Sequence, residues 1–383
     1  MKVAAIAGLV AAIAAGASAE VWALQGISVT ASSPAERIVG PKIDLLQAPV
    51  RVTCSDQCRV TADGVVTVER AQERDLELDL LPARASATEE SLVLRPRLSG
   101  ESTALLQEAL DSRGTTAVVD FEVSASDSPG SETQATSQTS LLAGFDILGR
   151  DVAPRLAFFD AKREPRLRFR FRSPGATDLR VQLRRGEGGR VLRKWDLESA
   201  QPFDLQKVEW GGLNRRGDAA PDGTYSFHVG LAGKPTARAG SFKLRGHVFP
   251  VAGPHGTRGA IGEFGAPRSG GGTHEGFDIT ADCGTPLVAA RGGEVAKRFF
   301  DPVLYGWVVD IRARKSKRRF FYSHLREKPP VAKGERVRTG QKVGEVGQTG
   351  NAATTPCHLH FELRKGGEPK DPEQELRRWD RWS

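Results

Sequence analysis

Short segments in which apolar and polar residues alternate are the feature of this sequence that most restricts its fold. The segment Arg166–Arg172 reads RLRFRFR. Because successive side chains of a strand point to opposite faces, we expect Leu167, Phe169 and Phe171 on a core face and the arginines in solvent. Glycine and proline, of which the chain has 42 and 22, separate many such segments. The pattern predicts a mainly β protein.

The strand-like segments fall into three blocks, and 383 residues exceed what one compact core usually accommodates. We predict an immunoglobulin-like β-sandwich over residues 27–143 and a second over residues 150–247. An antiparallel β domain is predicted over residues 250–378, with no long helix before Glu373. The fold class is therefore mainly β, with two sandwiches ahead of a C-terminal β domain.

The first block carries three local expectations. Ser102–Leu110 has apolar residues at helical spacing and predicts a short amphipathic helix. Cys58–Thr61 and Val65–Val68 are expected to be separate strands. Ser124–Ser140 is rich in Ser, Thr and Gln, so it is expected to be a long turn or a linker.

The second block contains the run VEWGGLNRRGDAAPDGTYSFHV, whose Pro-Asp-Gly predicts a tight turn into a strand at Tyr225–Val229. The run resembles the Ig-like domain of flagellar hook-capping (FlgD-type) proteins, which share its Trp-x-Gly and Pro-Asp-Gly-Thr-Tyr patterns. This resemblance is confined to the second block and implies a sandwich fold, not a function. His228 and His247 lie here without neighbours at ligand spacing, so we expect surface or partly packed side chains.

The first residues of the chain predict export. A run of small apolar residues over Val3–Gly16 is followed by Ala-Ser-Ala, which has the form of a cleavage site. The run is short and rich in alanine for a membrane span, so residues 1–19 are interpreted as a cleaved signal peptide. The mature protein is expected outside the cytoplasm, in the periplasm, the cell wall or the medium, with no stable membrane span.

A formal net charge of +8 favours anionic partners, such as anionic polymers of a cell wall. Arg312–Arg319 reads RARKSKRR and superficially resembles a nucleic-acid-binding patch. It lies between two strand-like segments, so a solvated hairpin tip is favoured over a nucleic-acid site. No nucleic-acid partner is expected.

Four of the seven histidines lie in three short segments of the last block. GGTHEGFDIT contains His274 and Asp278, FFYSHL contains His324, and PCHLHFEL contains His358 and His360. Imidazoles with one carboxylate form a ligand set that suits zinc better than magnesium or calcium. A catalytic zinc has three protein ligands and one open position. The four histidines and one aspartate therefore divide into three zinc ligands and two further imidazoles that do not bind the metal.

Strand alternation predicts which of these side chains share a face. His358, His360 and Glu362 are expected on one face of their strand, opposite the apolar residues between them. By the same rule His324 is expected on the face of Phe320 and Tyr322. The even spacing of His274 and Asp278 lets both converge from an extended segment. Gly276 between them suits a close approach of the backbone to a metal.

These motifs, together with CGTPLVAA, YGWVVDI and VAKGERVRTGQKVGEVGQTGNA, resemble the zinc peptidoglycan endopeptidases related to lysostaphin and LytM. The resemblance implies one zinc ion per chain, bound by His274, Asp278 and His360. It implies that His324 and His358 are the catalytic pair. It also implies a narrow substrate groove, with Gly344–Gly350 in its wall and Asn351 as a polar contact.

The four cysteines suit an exported protein with disulfides. Cys54 and Cys58 are close enough to pair locally. Cys357 has two interpretations, a disulfide with Cys283 that braces the ligand-bearing strands, or a fourth zinc ligand. The disulfide is favoured, because Cys357 should point away from the face of His358.

The sequence therefore predicts an exported zinc metalloendopeptidase that cleaves peptide stems or cross-links of peptidoglycan. Two alternatives remain: a catalytically silent LytM-like protein that binds the wall or regulates a hydrolase, and an adhesive protein that acts through its sandwiches. The bond cleaved, such as a glycine bridge or a bond to diaminopimelate, depends on groove loops and does not follow from the motifs.

Overall fold

The computed structural model describes residues 27–40, 49–71, 73–88, 90–127, 130–186 and 188–382. The predicted signal peptide at residues 1–19 lies outside these ranges. The chain divides into two compact units. One contains the described residues up to 149 with 169–177 and 198–205, and the other contains 150–168, 178–197 and 206–382. The mainly β prediction is confirmed; the three-domain boundaries and the immunoglobulin-like assignment stay predictions.

The described residues of the N-terminal block form ten strands and one helix. A three-stranded sheet has the order β1-β3-β7, and a larger one runs β2-β10-β9-β4-β5-β8 with β6 paired to β4. Their apolar faces enclose a core that contains the Cys54–Cys58 disulfide. The predicted helix is confirmed, and Ser99 caps it by accepting a hydrogen bond from the Ser102 amide. The elements are β1 (Val29–Ser32), β2 (Glu36–Val39), β3 (Val50–Cys54), β4 (Cys58–Glu69), β5 (Leu76–Leu81), β6 (Ala83–Ala87), β7 (Leu92–Leu94), β8 (Arg97–Leu98), α1 (Gly100–Leu110), β9 (Thr116–Ser126) and β10 (Glu132–Ala143).

Two sequence predictions for this block were wrong. Strand β4 continues through Gly64, where a Cβ would lie 2.0 Å from the Asp120 carbonyl oxygen, so the glycine admits the neighbouring strand instead of ending its own. Most of Ser124–Ser140 belongs to β9 and β10. Along β10 small polar side chains alternate between buried and exposed, and the Ser137 hydroxyl hydrogen-bonds the Ser33 hydroxyl at 2.7 Å. Composition alone therefore indicated a linker where hydroxyl pairing sustains a strand.

The second block contains strands β11 to β18. The sheet β12-β18-β17-β14-β15 is antiparallel at β17–β18 and β14–β17 and parallel at β12–β18. The predicted turn leads into a strand that begins at Gly223, and Tyr225 donates a hydrogen bond from its hydroxyl to the Pro221 carbonyl. The strands are β11 (Asp146–Ala153), β12 (Leu156–Phe158), β13 (Arg166–Arg172), β14 (Thr177–Arg185), β15 (Val191–Ala200), β16 (Gln206–Glu209), β17 (Gly223–Leu231) and β18 (Ala237–Arg245).

Strand β13 alternates as predicted, with one exception. Leu167, Phe169 and Phe171 are fully buried, which confirms the predicted core face. Arg172 is also fully buried, so the prediction that all the arginines face solvent was wrong. Its guanidinium forms an ion pair with the Asp111 carboxylate, which offsets the cost of burying the charge.

The C-terminal block is an antiparallel sheet with the order β19-β20-β27-β24-β23-β22-β25, with β28 beside β27 and a separate β21–β26 pair. One face packs on an apolar core that also receives Leu376 and Trp379 of the last helix. The predicted hairpin tip is confirmed, because β23 ends and β24 begins within Arg312–Arg319. The elements are β19 (Gly256–Thr257), β20 (Phe277–Thr280), β21 (Pro286–Val288), β22 (Gly293–Asp301), β23 (Gly306–Ala313), β24 (Arg318–Leu325), β25 (Arg336–Val337), β26 (Lys342–Glu345), β27 (His358–Lys365), β28 (Glu368–Lys370) and α2 (Glu373–Asp380), with 3-10 turns at Ala260–Gly262 and Gly350–Ala352.

The Cys283–Cys357 disulfide is present, and Cys357, directly before β27, lies in the apolar core. This confirms the disulfide and removes the alternative in which Cys357 is a fourth ligand. None of the helices in the described ranges has the length and apolar character needed to cross a membrane.

His247 is partly packed, which agrees with the sequence prediction, and its ring stacks on Trp379 at 4.7 Å between centroids and lies edge-on to Phe320. Burial, reinforced by Arg291 and two further arginines, lowers the pKa of His247 to about 2. The imidazole is therefore neutral in the folded protein across the ordinary pH range.

This burial predicts an acid-sensitive contribution to stability. The unfolded chain binds a proton at His247 below about pH 6.5, whereas the folded chain does not. The free energy of unfolding is therefore unaffected by His247 above that pH and decreases as the pH falls from 6.5 towards 2. The loss at pH 5 is about 2 kcal/mol. We expect His247→Phe, which keeps a stacking ring without a titrating group, to show that much less acid destabilisation in denaturant unfolding. Equal losses in the two proteins between pH 8 and pH 5 would contradict this account.

Candidate metal centre and catalytic site

The structure brings all five predicted site residues to one cavity of about 540 Å³ in the C-terminal block. His358 and His360 reach it from β27, Asp278 from β20, His274 from the loop before β20, and His324 from the end of β24. Strands β20 and β24 both pair with β27, and Asp278 lies directly opposite His360 in this register. Residues distant in sequence therefore meet because they lie on, or directly before, three adjacent strands.

His274, Asp278 and His360 place one donor atom each within 4.8 Å of one another. His274 Nε2 lies 2.7 Å from His360 Nδ1, and each nitrogen lies 3.1 Å from Asp278 Oδ1. All three side chains are buried. This is the geometry of three protein ligands that converge on one cation.

Hydrogen bonds at the far side of each imidazole orient the donor atoms. His274 donates from Nδ1 to the Glu263 carbonyl at 2.9 Å, which leaves its Nε2 lone pair directed at the cluster. His360 donates from Nε2 to Glu362 Oε1 at 3.1 Å, which leaves its Nδ1 lone pair directed there too. In these tautomers two lone pairs and a carboxylate oxygen face one another, which is an arrangement that a bound cation would stabilise.

The electrostatics of the cluster agree with that arrangement. Burial by itself raises the pKa of Asp278, yet the imidazoles of His274 and His360 beside its carboxylate hold that pKa far below the usual range. Burial likewise lowers the pKa of His360, but Asp278 and Glu362 raise it overall. The carboxylates thus favour positive charge at the point where the imidazoles meet, so the three residues fit a divalent metal such as zinc.

Gly276 is needed for this geometry. A Cβ at this position would lie 2.7 Å from His360 Cε1 and 2.7 Å from the Phe361 carbonyl oxygen. The sequence indicated a close approach at Gly276, and the structure shows that the approaching group is the imidazole of His360. Any larger residue would have to displace a candidate ligand or the backbone of β27.

We therefore expect Gly276→Ala to lower zinc affinity by about 10- to 100-fold, the range seen when the support of a metal-binding histidine is lost. Competition with a chromogenic chelator measures this affinity. Gly270→Ala is the matched control, because a Cβ there meets no atom within 4 Å. Wild-type affinity in Gly276→Ala would show that His360 does not hold the metal in this position.

His324 and His358 lie beside the cluster with ring centroids 5.0 Å apart. Each donates from Nδ1 to a backbone carbonyl, His324 to Thr349 at 2.9 Å and His358 to Pro356 at 2.8 Å. Burial lowers the pKa of His324 to about 4 and lowers that of His358 as well. Both rings are therefore neutral near pH 7, with their Nε2 lone pairs available to accept a proton.

The sequence placed His324 on the wrong face. Phe320 and Tyr322 point into the apolar core, whereas His324 lines the cavity on the opposite side. The register between β23 and β24 shifts between Trp307 and Val309, which is a bulge that reverses the alternation. His324 also has a φ of 59°, an uncommon conformation for a residue with a side chain. The alternation of β27 was correct: Leu359, Phe361 and Leu363 lie in the core.

Other residues of the cavity had no predicted role. Arg258 Nη1 lies 3.2 Å from Asp278 Oδ2, and Arg268 Nη2 lies 4.0 Å from the same oxygen. Glu362 was assigned to the correct face, but its hydrogen bond to His360 was not foreseen. Both arginines come from the irregular loop before His274, where sequence carries no periodic signal.

The predicted groove wall lies mainly just beyond Gly344–Gly350. The cavity is lined there by Asn351, Ala352 and Thr355, so Asn351 is in the position expected of a polar contact. Gly344 instead packs under Leu325, and Gly347 under the backbone of Arg326. These glycines position the wall rather than form its surface.

Comparison with known proteins agrees with this site. Residues 272–372 match the model of Peptidase family M23. The C-terminal block contains an M23 peptidase domain. The matched segment contains all five predicted site residues, although the match itself assigns no role to any of them.

The relatives described here each match about a third of the chain. The chain is 36% identical over 137 residues to the lipoprotein NlpD/LppB homolog of Pseudomonas aeruginosa. The match covers 33% of this chain and 43% of that protein. It is 30% identical over 162 residues to the L-Ala–D-Glu endopeptidase of Bacillus subtilis, 37% of this chain and 48% of that protein. The catalytic domain of lysostaphin from Staphylococcus simulans is 28% identical, with 32% of this chain and 92% of that chain covered and a TM-score of 0.28. The chain spans less than half the length of the curated relatives it matches.

Proposed function

We propose that this protein is an exported zinc endopeptidase that hydrolyses peptide bonds in the stems or cross-links of peptidoglycan. The observation that carries the proposal is the combination of three converging ligands with two neutral imidazoles on one cavity. His274, Asp278 and His360 would hold one zinc ion per chain. Such an ion supplies Lewis-acid chemistry, which polarises an amide carbonyl and makes water more acidic.

The histidines of the chain supply the proton chemistry. His324 and His358 present Nε2 to the cavity, so either ring can accept the proton of the attacking water there and, once protonated, deliver it to the leaving amine. Backbone carbonyls fix the tautomer of both rings, which keeps the accepting nitrogen directed at the substrate. The bulge at His324 supports this assignment, because unusual backbone conformations concentrate at functional positions.

Peptidoglycan is the proposed substrate, because the names of M23 relatives include an L-Ala–D-Glu endopeptidase and a glycyl-glycine endopeptidase. A second candidate is a silent M23 domain that regulates a hydrolase. The presence of all three metal donors and both imidazoles in one cavity favours the enzyme. The two N-terminal β blocks would serve as spacers or as wall-binding modules, aided by the net charge of +8 towards anionic polymers.

Export is supported by the two disulfides, which persist in oxidising compartments. The signal peptide predicted at residues 1–19 is the proposed route.

The test is mass spectrometry of the fragments released from purified peptidoglycan. We expect the zinc-loaded protein to release peptide-cleaved fragments, and His324→Ala to release none above background while still binding zinc. If the wild-type protein binds one zinc ion and leaves every stem and cross-link intact, the regulatory candidate replaces the enzyme.

A further inference from the structure

Two arginines line the cavity beside the candidate metal centre and face one carboxylate between them. Arg258 Nη1 lies 3.2 Å from Asp278 Oδ2 and Arg268 Nη2 lies 4.0 Å from it, whereas the donor atom of the metal cluster is the other oxygen, Oδ1. The Arg258 side chain is 24% exposed and that of Arg268 is 36% exposed. Both guanidinium groups are therefore partly open to whatever occupies the cavity.

The remaining charges of the cavity are already paired. Arg364 forms an ion pair with Glu362 and lies 3.3 Å from Glu275, so one guanidinium serves two carboxylates behind the metal ligands. Arg258, Arg268, Glu275, Asp278 and Glu362 line the cavity, and with Arg364 directly behind it the cavity and its immediate surroundings have three carboxylates and three guanidinium groups. A bound divalent metal would then leave two positive charges without counterparts. Such a cavity favours a negatively charged substrate.

The Arg268 guanidinium is held in place with donors to spare. Its Nη1 donates to the Ile261 carbonyl at 2.8 Å, and its backbone amide donates to Gly272 at 2.9 Å across a tight turn. A guanidinium has five N–H donors in a planar fork that matches a carboxylate, so the Nη2 side remains available for a ligand.

The position of Arg268 defines where that ligand carboxylate would be. Its Nη2 lies 4.0 Å from Asp278, a candidate metal ligand. The guanidinium is therefore close enough to contact a residue next to the amide that would be cleaved at the metal. Consecutive Cα atoms are about 3.8 Å apart, so a carboxylate on a residue that flanks the cleaved bond reaches the fork. A neutral glycine bridge has no group to place there.

We propose that Arg258 and Arg268 form a carboxylate-binding subsite, and that the preferred substrate is an acidic peptide with a free carboxylate on a residue flanking the cleaved amide. This inference rests on the proposed function for its reaction, but the binding of the carboxylate is independent of cleavage. Arg268 is the specificity-determining residue, and Arg258 bridges the substrate carboxylate and Asp278.

The first measurement is binding without turnover. Zinc-loaded His324→Ala is titrated with two peptides that are identical except that a side-chain or α-carboxylate beside the target bond is a carboxamide in the second. We expect the acidic peptide to bind about 10- to 100-fold more tightly, as for a charge-assisted arginine–carboxylate pair. Adding Arg268→Gln to His324→Ala should weaken binding of the acidic peptide and leave binding of the carboxamide peptide unchanged. Arg268→Lys in the same background should retain part of the preference for the acidic peptide.

Zinc content, measured in every variant, separates loss of the subsite from loss of the metal. Arg312→Gln is the matched control, because Arg312 is 61% exposed, pairs with Glu294 and lies outside this cavity. Equal affinity for the two peptides, or an unchanged preference in Arg268→Gln, would overturn the subsite. Selective binding without cleavage by the wild-type protein would instead overturn the proposed function and leave the subsite standing.

Discussion

His324→Ala is expected to lower kcat for peptidoglycan hydrolysis by about 10²- to 10⁴-fold, the usual contribution of a general acid–base group. The Nε2 lone pair of His324 faces the cavity because Nδ1 donates to Thr349, and burial keeps the ring neutral by lowering its pKa to about 4. Alanine removes the proton acceptor but none of the three metal donors. The measurement is the initial rate of fragment release with zinc content determined on the same sample.

The matching change at His358 should have an effect of similar size, because that ring has the same tautomer and lines the same cavity. His255→Ala is a suitable control, since His255 stacks on Phe249 and is not among the residues that line the cavity. Near wild-type rates in His324→Ala, with one zinc ion bound, would remove His324 from the proton chemistry. A loss of zinc in the same variant would instead indicate that His324 supports the metal.

The parts of the site that the sequence predicted are those governed by local periodicity. The strand containing His358, His360 and Glu362 alternates without interruption, so spacing alone placed those side chains on one face. The Cys283–Cys357 pairing followed from the same alternation, which put Cys357 on the core side.

The errors arose where non-local pairing decides the outcome. The bulge that turns His324 towards the cavity depends on the register of β24 against β23, which is a contact between strands and not a property of either sequence. Gly64 is similar: the close approach of the Asp120 carbonyl explains why the glycine lies within a strand. Sequence gives the residue type at such positions but not the neighbour that makes it necessary.

Arg258 and Arg268 illustrate a further limit. Their loop lacks periodicity. The nine residues between them bring both guanidinium groups near Asp278 only after the loop has folded through a 3-10 turn and the Pro267–Thr273 bridge. The sequence motifs therefore identified the candidate metal centre, whereas the residues proposed to select the substrate required the three-dimensional structure.

Removal of a candidate metal ligand should have the largest effect of all, because it abolishes the centre on which both proposals depend. We expect Asp278→Asn and His360→Ala to bind no stoichiometric zinc and to show no detectable hydrolysis. Zinc at about 100 times its Kd stabilises a folded protein by about 2.7 kcal/mol, and this gain should disappear in both variants. Thermal unfolding with and without zinc measures the gain, and elemental analysis measures the metal.

Glu362→Gln provides the comparison that makes this result specific. Glu362 is fully buried and accepts a hydrogen bond from His360 Nε2, but it is not one of the three candidate metal ligands. Its substitution therefore perturbs the orientation of His360 and leaves all three ligands present. We expect one zinc ion per chain with an affinity lowered by about 10- to 100-fold. If Asp278→Asn bound zinc as tightly as Glu362→Gln, the carboxylate of Asp278 would not be a ligand, and the metal would have to be held by the imidazoles that surround it.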